Sequence, residues 1–158
     1  MTQRIDYSKA SPEGYKAFGG VYVTLLKGSL PKELIDLVYL RVSQINGCAF
    51  CIDMHFKDAT VAGETPQRLY LLDAWRETRF YSPRERAALE WAESLTLISE
   101  NHAPDDVYAR VREQFTEEEL VNLSLAIVAT NGWNRLVIGF RREAGSYQPG
   151  DAKRERAS

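Results

Sequence analysis

The sequence predicts an all-α protein. Apolar residues recur at three- and four-residue spacing through most of the chain, and Pro and Gly punctuate these stretches where helices would begin and end. No run alternates apolar and polar residues over a useful strand length. About six to seven helices are expected in one compact domain over residues 1–144, followed by a mobile tail at 145–158 in which no apolar period continues. No internal repeat of the 20–50 residue kind is visible. At 158 residues the chain is long enough to bury a real core.

The elements follow in order. Ser11 and Pro12 read as N-cap and first position of a helix whose stripe is Phe18, Val21, Tyr22 and Leu25 and which stops at Gly28. Leu30-Pro31-Lys32-Glu33 opens a second, running to Asn46-Gly47. Its Leu34, Ile35, Leu37, Val38, Leu40, Val42 and Ile45 leave so little polar surface that the fold or another subunit should enclose it. Glu33 lies in its first turn, where the helix dipole alone justifies a carboxylate, whereas Asp36 stands one turn later among apolar neighbours and is a candidate proton acceptor. A third helix continues from the cysteines through Phe56, Ala59 and Ala62 to Gly63.

Thr65-Pro66 starts a further helix with Leu69, Leu72 and Trp75 inward, and Ser82-Pro83-Arg84-Glu85 is a capping box ahead of Ala88, Trp91, Ala92 and Leu95. Asn101-His102-Ala103-Pro104 is a break, with His102 read as solvated, and helix resumes with Val107, Val111 and Phe115. Thr116-Glu117-Glu118-Glu119 is a second capping box, before a long apolar helix from Leu120 to about Arg142 that serves as a spine or an oligomer contact. Gly132 within it permits a close approach or a kink.

Composition narrows the function. Twenty Lys and Arg against 22 Asp and Glu leave a net charge of −2, so no basic surface for nucleic acid or an anionic membrane is indicated. The N-terminus has no apolar signal region and no run approaches a membrane span, which points to a cytoplasmic protein. In a reducing compartment two cysteines spaced CxxC are catalytic or metal-binding before they are structural, because a disulfide closing so small a loop adds little stability.

Those cysteines, Cys48 and Cys51, stand with His55 in Asn46-Gly47-Cys48-Ala49-Phe50-Cys51-Ile52-Asp53-Met54-His55. If a helix starts near Cys48, the three residues at i, i+3 and i+7 share one face. A cysteine in the first turn meets unpaired N–H groups and the positive end of the dipole. Lowering a thiol from about 8.5 to about 6.5 takes about 2.7 kcal/mol and raises the thiolate at neutral pH from a few per cent to about three quarters. His55 could hold or pass the proton, directly or through a water, and the second thiol lets a sulfenic acid close to a disulfide.

Residues Arg41 to His55, continuing through Lys57-Asp58-Ala59, resemble the alkylhydroperoxidase D-like group of the carboxymuconolactone decarboxylase family. Ala62-Gly63-Glu64-Thr65 and Leu71-Leu72-Asp73-Ala74-Trp75-Arg76-Glu77 resemble it as well. The resemblance implies an all-helical homo-oligomer, trimer or hexamer, acting as a thiol peroxidase or disulfide reductase without a cofactor. It implies Cys51 as the peroxidatic cysteine, Cys48 as the resolving one and His55 in the proton path. It also implies a hydroperoxide substrate and a lipoyl-like dithiol or thioredoxin-type reductant. The family's glutamate falls at Asp36, with Glu33 as substitute, and the family's histidine between the cysteines falls at Phe50. Three other readings are a carboxymuconolactone decarboxylase, which the paired thiols argue against, a zinc protein liganded by Cys48, Cys51 and His55, and a non-catalytic redox sensor.

Overall fold

Pro31 sets an extended backbone at the N-cap, and the run that follows has hydrophobic side chains at nearly every position. In the computed structural model, which describes residues 2–150, this run is helix α3, Lys32–Ile45, and the other long helices surround it. Ahead of it come α1, Tyr7–Ala10, and α2, Pro12–Leu25. After it come α4, Ala49–Val61, α5, Pro66–Tyr70, and a 3-10 segment, Leu72–Glu77. The chain finishes with α6, Pro83–Thr96, α7, Ile98–Asn101, α8, Asp105–Arg112, and α9, Glu117–Phe140. The described residues contain helices and no strands.

The enclosure expected of α3 is present. Ile35, Leu37, Val38, Leu40 and Val42 are all at most 1% exposed. Each such side chain stabilises the fold by about 1.5–3 kcal/mol relative to exposure. One side of α3 joins Leu25, Trp91, Leu123 and Ile127 from α2, α6 and α9, and the other joins Leu69, Leu72, Trp75 and Leu89. Burying a helix all round also leaves it holding polar groups: Arg41 Nε donates to Glu93 Oε1 at 2.8 Å, and Trp75 Nε1 donates to the same oxygen at 2.8 Å. That carboxylate ties α3, the 3-10 segment and α6 together.

Both capping boxes form, Ser82 with Glu85 and Thr116 with Glu119. Ser11 precedes Pro12 as expected, but its side chain makes no capping hydrogen bond. The helix expected from Thr65-Pro66 through Trp75 is instead α5 and the 3-10 segment, which meet at Leu71; within the second, Ala74 leaves helical geometry, and at its end Arg86 donates to the Trp75 and Thr78 carbonyls. Short α1 and α7 were not anticipated; Asp6 caps α1, and His102, exposed and left-handed at φ 53°, ends α7.

Helix α9, 24 residues and about 36 Å long, is the spine. It leaves Val121, Leu125 and Val128 exposed, and these line a groove of about 450 Å³ with Trp91, Tyr108 and Leu120. Among the described residues no helix is long and apolar enough to cross a membrane. Further along the same face of α9, Gly132 marks a close approach: a Cβ there would stand 2.5 Å from the Phe18 ring, which is itself packed on Trp133. Gly132→Val should therefore cost about 1–3 kcal/mol by overpacking, read as a lowered midpoint in chemical denaturation, with Phe18→Ala in the same chain removing most of the penalty.

Candidate active site

Gly47 adopts φ +66°, a conformation that glycine takes without a Cβ penalty, and this turn joins α3 to α4. The Gly47 N–H donates to the Gln44 carbonyl at 3.1 Å and the Cys48 N–H to the Ser43 carbonyl at 3.0 Å, the paired bonds of a Schellman motif. Cys48 is already extended and serves as N-cap of α4, its carbonyl accepting the Ile52 N–H at 2.9 Å. Cys51 thus occupies the first turn of α4, which contains no acidic side chain to offset the helix start.

A polar cluster fixes the turn from below. Asn46 Nδ2 donates to Asn131 Oδ1 and Asn134 Oδ1 at 2.9 Å each, and Asn134 Nδ2 donates to Ser43 Oγ at 3.2 Å. Asn134 and Ser43 have no exposed surface, so these bonds satisfy groups that water cannot reach.

Cys48 and Cys51 are joined as a disulfide across a Cα–Cα distance of 5.3 Å. Cys48 is 0% exposed and Cys51 2%, and both pack with Phe50, Val137 and Tyr147, beside Tyr7 and Met54. On reduction, two forces act on the thiols in opposite directions: an apolar surrounding raises their pKa and the helix start lowers it.

His55 follows one turn beyond Cys51, half-buried, with its ring 5.3 Å from that of Tyr39. Burial, and then the charge of Lys32, push its pKa down to about 4. The imidazole is neutral at physiological pH.

Lys32 is the cation that bears on His55. Its ammonium pairs with the buried Asp36 carboxylate, and it also feels Tyr22 and Asp58. Burial works to lower the Lys32 pKa and Asp36 more than reverses this; burial likewise raises Asp36, against the pull of Lys32. Glu33 is exposed in the first turn of α3, and with Asp36, Ala59, Gly63 and Glu64 it borders a cavity of about 130 Å³ toward the far end of α4. The structure therefore places Cys48, Cys51 and His55 along α4, with Asp36 and Glu33 on neighbouring α3. No hydrogen bond joins either carboxylate to His55 among the described residues; Lys32 pairs with Asp36 and its charge reaches His55. Among the described residues no group of three or more His, Cys, Asp or Glu side chains is arranged to hold a metal ion.

Two residues of the site escaped the sequence reading. Tyr147, in the stretch read as a mobile tail, is 5% exposed, and its hydroxyl donates to Asp58 Oδ1 at 2.8 Å and Oδ2 at 2.9 Å. Residues 145–150 therefore pack against α4, while 151–158 lie outside the described residues. Asp58 could have been found, since it lies seven residues after Cys51 on the same face of α4. Tyr147 offered only the signal of a lone aromatic in a polar stretch.

The sequence profile of the carboxymuconolactone decarboxylase family matches residues 11–94. YdfG of Bacillus subtilis (strain 168), an uncharacterized protein, is 47% identical over 146 residues, covering 92% of this chain and 99% of its own. A crystal structure of a protein of unknown function from Agrobacterium tumefaciens, suggested there to be the antioxidant defence protein AhpD, superposes with a TM-score of 0.89. It is 42% identical, covering 92% of this chain and all of its own. The debrominase Bmp8 superposes with a TM-score of 0.75 at 19% identity, over 87% of this chain and 74% of its own, a likeness of fold alone.

The depressed His55 pKa has a sign that can be tested. The unfolded chain takes up this proton near the ordinary value of 6.5 and the folded chain only near 4, so the contribution of His55 to stability is intact above 6.5 and is lost as the pH falls from there toward 4. An NMR titration of the His55 ring should give a midpoint near 4, moving upward in Lys32→Met; a midpoint at the ordinary value would contradict the buried, cation-facing environment.

Proposed function

From the premise that this chain belongs to the carboxymuconolactone decarboxylase family, in its alkylhydroperoxidase D-like group, we propose that it is a thiol-dependent peroxidase or disulfide reductase with an antioxidant role. The observation that carries this reading is the disulfide between Cys48 and Cys51 at the start of α4, with Cys51 in the first turn and His55 one turn beyond.

In the forward half-reaction the Cys51 thiolate attacks the terminal oxygen of a hydroperoxide. The S–O bond forms as the O–O bond breaks, Cys51 is oxidised to sulfenic acid, and the departing alkoxide takes a proton to leave as an alcohol. His55 accepts the thiol proton as the thiolate forms, since only then does a negative charge stand beside the weakly basic ring. The Cys48 sulfur then attacks Cys51 Sγ, forming the disulfide and releasing water. A dithiol reductant, of lipoyl or thioredoxin type, returns two electrons and two protons and leaves as its own disulfide. Asp36 acts on this path through Lys32, whose charge both pairs with Asp36 and weighs on His55. Glu33, exposed and further from the pair, contributes field rather than contact. Phe50, standing where the group has a histidine, supplies packing in place of a second proton carrier. The cell compartment assigned to this activity is the cytoplasm.

Consumption of cumene hydroperoxide with dihydrolipoamide tests the assignment. Turnover should vanish in Cys51→Ser and fall about 100-fold in His55→Ala. Cys48→Ser should still consume one equivalent and leave a trappable sulfenic acid at Cys51. Oxidation of the pair by peroxide without turnover in the presence of reductant would instead assign a redox sensor. The same reading includes a homo-oligomer, trimer or hexamer, supported by the exposed α9 stripe of Val121, Leu125 and Val128. Light scattering should give three or six times the 18.0 kDa chain mass, falling toward one chain in Val121→Glu/Val128→Glu.

A further inference from the structure

Both sulfurs are shut off from solvent, yet a disulfide is reduced only when an incoming thiolate reaches a sulfur along the S–S axis. The side chains packed with the sulfurs belong to helices, with one exception. Phe50 and Met54 are on α4, Val137 on α9 and Tyr7 on α1, whereas Tyr147 comes from the non-helical segment after α9.

That segment is attached along one side of α4. The Tyr147 hydroxyl bonds the Asp58 carboxylate, the Tyr147 carbonyl accepts from Lys57 Nζ at 3.0 Å, and the Gly145 N–H donates to Asp53 Oδ2 at 3.2 Å. The Tyr147 ring meets Phe50 edge-on at 6.3 Å. Glycines in positive-φ conformations stand at both ends, Gly145 at +99° and Gly150 at +97°, where a backbone can swing at low cost. Every attachment just named is polar or edge-on, and all of them are made to α4, the helix that carries Cys51.

We propose that residues 145–150 are a lid over the redox pair, latched by the Tyr147–Asp58 hydrogen bond, and that its opening sets the rate at which a dithiol reduces the disulfide. This rests on the pair being cycled by an external reductant, as in the function proposed above, but not on the identity of the oxidant. When the lid opens, one thiol of the reductant attacks a Cys sulfur and displaces the other as thiolate. The reductant's second thiol then resolves the mixed disulfide, leaving Cys48 and Cys51 as thiols and the reductant oxidised by two electrons.

The test follows release of protein thiols from the full-length oxidised chain with dithiothreitol and with reduced thioredoxin, in the absence of peroxide. Tyr147→Ala should raise the rate constant about tenfold or more, as expected for loss of a hydrogen bond to a charged group together with its ring, and the gain should be larger for the bulkier thioredoxin. Tyr147→Phe, which keeps the ring and loses the hydroxyl, should be intermediate, and it decides the question alone if Tyr147→Ala loses helical circular dichroism. Leu72→Ala, a core truncation remote from the pair, is the comparison for general loosening. Equal rates in wild type and the Tyr147 variants, or an equal acceleration in Leu72→Ala, would overturn the lid. A chain that shows the gating but consumes no hydroperoxide would leave the lid standing and remove the peroxidase.

Discussion

The hydrogen bond from the Cys48 amide to the Ser43 carbonyl closes one helix and starts the next. It exists because Gly47 turns the chain through a left-handed conformation, which aims the unpaired N–H groups of α4 at the place where Cys51 stands. A residue with a Cβ at Gly47 would strain this turn. Ser43, Asn46, Asn131 and Asn134 then hold it to the spine with a chain of bonds, buried at Ser43 and Asn134, whose members lose more by being left unpaired than they contribute as pairs. The position of the sulfurs is thus set by backbone geometry and by a polar cluster, while the hydrophobic core provides the weight that keeps both in place.

Electrostatically, one ammonium bears on both Asp36 and His55. Lys32 pairs with Asp36 and feels Asp58, while burial first, and then the field of Lys32, keeps a proton off His55. The carboxylates keep the cation charged, burial and the cation keep the imidazole neutral, and the neutral imidazole is the form that can receive a proton when a thiol ionises. The buried Asp36 carboxylate is itself matched by Lys32, since an unbalanced charge there would be costly.

The all-helical class, both capping boxes, the enclosure of α3 and the placement of Cys51 just after a helix start were legible in the sequence, because they depend on local signals: Pro and Gly punctuation, cap residues and apolar spacing. The end of the Thr65–Glu77 stretch was not, since there Arg86 reaches back to the carbonyls of residues 75 and 78. Nor was the role of Lys32, which nothing in Leu30-Pro31-Lys32-Glu33 marks and which shows only in its ion pair with Asp36 and its charge on His55. Tyr147 shows the limit most clearly. Its burial depends on Asp58 and Phe50, 89 and 97 positions earlier in the chain, and no periodicity within 145–150 encodes a partner so remote.

The 5.3 Å between the Cys48 and Cys51 α-carbons is close to the roughly 5 Å that any helix places between residues three apart. Making or breaking the bond therefore asks no unwinding of the first turn. Electron traffic in this molecule should be nearly silent to far-ultraviolet dichroism and audible only to probes that count thiols, so backbone spectroscopy would be the wrong instrument for following its cycle.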